Sequence, residues 1–191
     1  MTKEPGFTLV EILIVVGLTL VTGTLLLGIV VNNTGVFRSQ ETQVSVGLSL
    51  NDSLAKISNR IKEASSVVAG YPENSPVYAS AESILVLKVP GYNETGVLND
   101  IYDFIVIARD DDRNTILRLK IFPDAQSSRP PANEVLTNLT KEIVFDYHDK
   151  IGNVVDPVDA ETVEVTLQVL SKNGSISTNR TASVTAALRN N

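Results

Sequence analysis

The chain contains no cysteine and no tryptophan, and it has a single histidine, His148. Without cysteine there are no disulfides, no thiolate nucleophiles and no cysteine-based metal sites, and the redox compartment stays undetermined. One histidine excludes a multi-histidine metal centre within one chain. Aromatic residues make up only 5% of the sequence. Lysine and arginine are outnumbered by aspartate and glutamate, giving a net charge of −6. An acidic chain with no cluster of basic residues is not built to hold nucleic acid by bulk electrostatics. Sequence motifs of nucleotide binding and of serine hydrolases, G-x-x-x-x-G-K-[ST], G-x-G-x-x-G and G-x-S-x-G, do not occur.

What the sequence does have is a long apolar run near its start. Residues 7–31, "FTLVEILIVVGLTLVTGTLLLGIVV", carry one charge, Glu11. As a helix this run spans about 38 Å, more than the roughly 30 Å hydrocarbon core of a bilayer. A buried core helix of that length would show a polar face, and none is present. A secretory signal peptide would be shorter and would end in small residues. Here no alanine precedes Ala55, so an A-x-A cleavage site is lacking. A plain signal anchor is compatible with hydropathy alone. Lys3 before the run and Arg38 after it balance, so flanking charge decides little about orientation. The very short leader argues for a cytoplasmic amino end. Gly17, Gly23 and Gly28, with Thr19, Thr22 and Thr24 beside them, are small residues of the kind that let helices approach closely in lipid.

A carboxylate inside such a run costs a few kcal/mol, so its presence needs a reason. The leader has six residues and ends in Gly6, Phe7 follows, and Glu11 lies one helical turn further on. The stretch "GFTLVEILIVV" resembles the class III signal of type IV prepilins. The resemblance implies that a prepilin peptidase cleaves after Gly6 and that Phe7 becomes the N-methylated terminus. It also implies that Glu11 pairs with the N-terminal amine of a neighbouring subunit. Major pilins commonly have proline near the place of Gly28, and glycine here would permit similar local melting. The alternative for Glu11 is a carboxylate snorkelling to the headgroups.

Residues 32–49 are a polar transition, with "NNTG" at 32–35 a possible weak point. Leu50, Leu54, Ile57, Ile61, Ala64 and Val68 then recur at helical spacing, with Asp52, Lys56, Arg60 and Glu63 off the stripe. "AGYPENSP" ends the pattern. Strand patterns follow at 83–89, 101–109, 115–122, 142–148, 161–170 and 175–190. "PGYNETG" and "SSRPPANE" read as loops, and "DDDRN" and "DKIGN" as turns. In 161–170 alternation is strict, with Val163, Val165, Leu167 and Val169 on one face, as in an antiparallel sheet wetted on one side. The fold class expected is therefore α+β. The expected layout is a leader at 1–6, a transmembrane and assembly helix at 7–31 and a soluble domain at 32–191. Within that domain an amphipathic helix at about 44–69 packs on an antiparallel sheet at about 83–190.

The C-terminal half adds a resemblance to minor pilins of the PilW kind and to J-type minor pseudopilins, carried by "LNDSLAKISNRIKEASSV", "VFDYHDKIGN" and the terminal "ALRN". Major pilins often carry a C-terminal disulfide, from which this chain departs. The resemblance implies a minor subunit of a type IV pilus, a type II secretion pseudopilus or a DNA-uptake pseudopilus. Its partners would be the prepilin peptidase, other pilin or pseudopilin subunits, an assembly platform membrane protein and the membrane itself. It would sit in the cytoplasmic membrane with its soluble domain outside, then in the filament. The alternative is a monomeric, membrane-anchored extracytoplasmic binding module. Clustered carboxylates at Asp110, Asp111 and Asp112 suit calcium, but the EF-hand spacing is absent and a solvated hairpin tip accounts for them. Asp146, Asp149, Asp156 and Asp159 near His148 read likewise as a polar loop. No catalytic residue, metal or cofactor is expected.

Overall fold

A computed structural model describes residues 8–72, 77–94, 96–110, 112–173 and 176–189. Among the described residues one α-helix, α1 (Leu9–Glu63), is followed by ten strands and a short 3-10 turn at Pro157–Asp159. The chain divides into two compact units between Thr42 and Gln43.

In the first unit the apolar run is helical, and helical hydrogen bonding continues through Asn32–Gly35. Every side chain from Thr8 to Val31 is exposed. This part of α1 is long and apolar enough to cross a membrane, and it is the single candidate span among the described residues.

The second unit holds the rest of α1 and the sheets. Val46, Leu50, Leu54, Ile57 and Ile61 are buried at helical spacing. They share one core with both larger sheets. The five-stranded sheet has the order β1 (Ser66–Val67), β4 (Leu85–Asn93), β5 (Gly96–Arg109), β6 (Leu117–Phe122), β7 (Ala132–Thr137). The three-stranded sheet has the order β10 (Ile176–Ala187), β9 (Thr162–Asn173), β8 (Thr140–His148). A small hairpin, β2 (Gly70–Tyr71) with β3 (Tyr78–Ala79), completes the set. All strand pairs are antiparallel. This is an α+β architecture, a long apolar N-terminal helix followed by antiparallel sheets, consistent with a pilin-like fold. Alternation places Val163, Val165, Leu167 and Val169 in the core, as expected, with Glu164, Thr166 and Gln168 half-buried on the other face.

Three boundaries differ from the sequence reading. The helix ends at Glu63 rather than near 69. Ser65 and Val68 donate their amides to Lys88 and Val86 carbonyls, so the backbone leaves the helix to pair with β4. Ser65, Ser66, Val67 and Val68 favour extended structure, and the open edge of β4 supplies partners. Val68 accordingly packs on the far side of the sheet, against Val86 and Val106. "PGYN" belongs to β4 instead of forming a loop, and β5 begins at Gly96, ahead of the expected strand at 101–109. Their pairing shifts register beyond Pro90. A Cβ on Gly91 would lie 3.1 Å from Ile101 Cγ2 and 3.3 Å from the Ile101 carbonyl oxygen, so this irregular pairing needs glycine. "ANE", placed in a loop by its neighbouring prolines, opens β7.

Candidate functional site

The residue singled out by sequence, Glu11, lies in the first turn of α1. Gly6 and Phe7, the expected processing site, lie outside the described residues. Thr8 precedes the helix and caps it. The Glu11 amide donates to Thr8 Oγ1 at 3.3 Å, and the Thr8 amide donates to Glu11 Oε2 at 3.3 Å. The Thr8 hydroxyl also donates to Glu11 Oε2, at 3.4 Å. This is a capping box: threonine and glutamate three residues apart satisfy amides that the helix start leaves orphaned. The carboxylate also lies at the end of the helix that favours negative charge. Sequence reasoning passed over this role, although the signal, Thr-x-x-Glu ahead of an apolar run, is legible. Among the described residues Glu11 Oε1 accepts no hydrogen bond, so one oxygen serves the helix and the other is open.

Along the span, hydroxyls are satisfied within the helix. Thr19 donates to the Val15 carbonyl at 2.7 Å, Thr22 to Leu18 at 2.8 Å and Thr24 to Val21 at 2.8 Å. These polar side chains therefore leave no unpaired donor on the apolar surface of the helix. Nothing lies within 4 Å of a Cβ built on Gly17, Gly23 or Gly28. The exposed surface of the span is apolar, with small residues set into it.

In the second unit the acidic candidates are occupied by structural roles. Asp110 pairs with Arg118 and accepts the Asp112 amide at 3.1 Å. The Arg118 guanidinium, first among its partners, holds the Asp110 carboxyl below the usual range. Asp111 lies outside the described residues. Asp149 closes the "DKIGN" turn. Its carboxylate accepts from the Ile151 amide at 3.0 Å, the Asn153 amide at 2.9 Å and the Asn153 side chain at 2.9 Å. The Asn153 contacts lower its pKa most. Gly152 supplies the left-handed residue of that turn, with φ +87°. Asp146, Asp156 and Asp159 do not join it. Among the described residues no group of three His, Asp or Glu side chains could hold a metal ion. His148 ends β8, its Nε2 4.0 Å from Glu164 Oε2 and its Nδ1 buried without a partner.

A further polar group emerges only from the structure. Asp103 on β5 is fully buried, in phase with the core residues Ile105 and Ile107. Its Oδ2 accepts from Arg129 Nε at 2.7 Å and from Ser127 Oγ at 2.9 Å, and its Oδ1 from the Asp124 amide at 2.9 Å. Arg129 also lies 3.7 Å from Glu63 Oε2, in the last turn of α1. The segment 123–131 is thus pinned to the sheet and to the helix end. Behind the five-stranded sheet, Tyr71 stacks on Phe122 with ring centres 4.7 Å apart, and Lys120 donates to the Tyr78 hydroxyl at 2.7 Å. A 480 Å³ cleft beside them is lined by Tyr78, Ser83, Arg109, Asp110 and Asn114, among others.

Comparison with protein-family models finds none that matches the chain, and comparison with curated proteins finds no matching relative.

Proposed function

We propose that the chain is a type IV pilin-like subunit of the minor kind. It is cleaved after Gly6 by a prepilin peptidase, methylated on Phe7 and assembled through α1 into a pilus or pseudopilus. The observation that carries the reading is the sequence "GFTLVE" set at the head of a helix whose every side chain from Thr8 to Val31 is exposed. That surface is stable in lipid or against like helices and unstable in water. Cleavage creates a cation at Phe7, and Glu11 Oε1 is open to the same kind of cation on a neighbouring subunit. In a bundle of apolar helices such a pair fixes register, because a misaligned copy leaves both charges unpaired. The other partners are an assembly platform protein and the cytoplasmic membrane, with the soluble unit outside. The role is structural, and the chain is the substrate of an enzyme rather than an enzyme.

A second reading, a monomeric membrane-anchored binding module, draws on two observations. Glu11 already has a partner in its own chain, Thr8, and the soluble unit carries an open cleft. Mass spectrometry of the chain from its native membrane separates the two. The subunit reading expects loss of residues 1–6 and one added methyl group, both abolished by Gly6→Val. A chain that still begins at Met1 in its working location refutes it.

A further inference from the structure

A sheet edge presents a row of unpaired backbone N–H and C=O groups, and proteins protect such edges with short strands, bulges, charge or cover. Three of the four edges of the two larger sheets are protected in this way. β1 has two residues. β7 pairs with β6 through a register shift at Leu117 and Arg118, carries Glu134, and has its Leu136 carbonyl taken by the Ser53 hydroxyl at 2.9 Å. β8 has a register shift between Thr140 and Glu142, and its outer side bonds to Glu82 and Val155. β10 is neither short nor bulged nor covered along its backbone, and a single charge is its one such device. It is 12 residues long and pairs with β9 in unbroken register from Ile176 to Ala187. It contains no proline or glycine and one charge, Arg180. Among the described residues no backbone hydrogen bond is made to its outer side between Ser177 and Ala187.

The residues at this edge also indicate the occupant. Around Ser183 the sequence reads Thr181, Ala182, Ser183, Val184, Thr185. In side-chain chemistry that order is the same in both directions. An antiparallel strand pair about a two-fold axis sets Ser183 against itself, Thr181 against Thr185, and Ala182 against Val184. Thr–Thr and Ser–Ser neighbours suit the exposed face. Ala182 and Val184 pack on the core, so the apolar layer continues across the junction. Arg180 faces Ala186 and no like charge is opposed. We infer that the open edge of β10 docks a second copy of this chain, β10 against β10, joining two three-stranded sheets into one of six strands. The inference needs neither cleavage after Gly6 nor the charge of Glu11.

The absence of native cysteine makes the test clean. Single substitutions Ser183→Cys, Asn179→Cys and Thr166→Cys are made in the full-length chain in membranes, followed by mild oxidation. Thr166 lies opposite Ser183 on β9, one strand in from the edge. Disulfides do not form when Cα atoms are more than about 7 Å apart. Only Ser183, on the axis, meets its own copy within that limit. The expected result is a disulfide-linked dimer of Ser183→Cys at least about tenfold above both other variants. Equal cross-linking at all three positions, none at Ser183, or capture of a different protein by Ser183→Cys overturns the inference.

Discussion

Glu11 carries two separable duties, and its substitutions can tell them apart. Glutamine at this position keeps the side-chain oxygen that accepts the Thr8 amide, because the capping box works with either residue. It removes the negative charge. Alanine removes both. Losing a cap costs about 1 kcal/mol of helix stability. Breaking a desolvated ion pair by neutralising one member costs about 3–5 kcal/mol, because the other charge stays buried without a partner. Under the subunit reading, Glu11→Gln should therefore lower incorporation into filaments by about two to three and a half powers of ten, each 1.4 kcal/mol being tenfold. Glu11→Ala should fall only about fivefold further. Thr8→Val removes the hydroxyl that accepts the Glu11 amide at 3.3 Å and leaves the charge intact. It should lose no more than about tenfold. The assay is the fraction of chain recovered in sheared, sedimented filaments, with processing after Gly6 checked by mass. If Glu11→Gln incorporates like the native chain while Glu11→Ala and Thr8→Val fall together, the carboxylate is a helix cap and the ion-pair account is refuted.

Two other outcomes test the second unit. Asp103→Asn removes the buried carboxylate of Arg129, leaving it only the more exposed Glu63 at 3.7 Å, and should cost about 3 kcal/mol in urea unfolding, whereas replacing Asp103 and Arg129 together by leucine should cost less; a smaller loss for the single variant would show the pair to be dispensable. Burial, with the Asp146 carboxylate next to it, raises the Tyr147 pKa above its ordinary 10. The folded state thus holds that proton more tightly than the unfolded state. The contribution is full below about pH 10 and declines as pH rises beyond it. Urea midpoints measured between pH 9 and 11 should fall more steeply for the native chain than for Tyr147→Phe, and parallel curves would count against the assignment. The phenol donates to the Ala81 and Ile84 carbonyls, so Tyr147→Phe should start about 1 kcal/mol lower at neutral pH.

The features legible in sequence were those governed by period. The apolar run, the helical stripe from Leu50 to Ile61 and the alternation from Val163 to Val169 all follow from one face meeting the core. The "DKIGN" turn was legible because aspartate and glycine have fixed uses there. The helix end was not. Ala64 and Val68 keep the helical spacing, and only the edge of β4, supplied by residues 85–93, draws the chain into an extended path. Asp103 was illegible for a related reason. A carboxylate in phase with Ile105 and Ile107 contradicts the pattern unless Arg129 arrives from a distant loop. The Thr8–Glu11 cap is a different case, since its signal is local, a threonine three residues ahead of a glutamate at the head of an apolar run.

The carbonyl of Ala64, just past the end of α1, is met by the amide of Arg189 at 2.8 Å, and Leu188 is tied to Glu161 beside it. The helix terminus thus depends on a group that is synthesised long after it. While the chain is emerging, the stripe from Val46 to Ile61 has no sheet to cover it. Nascent protein of this kind should be an avid client of holdase chaperones, and a ribosome stalled before residue 188 should present an open, protease-sensitive intermediate rather than a nearly finished domain.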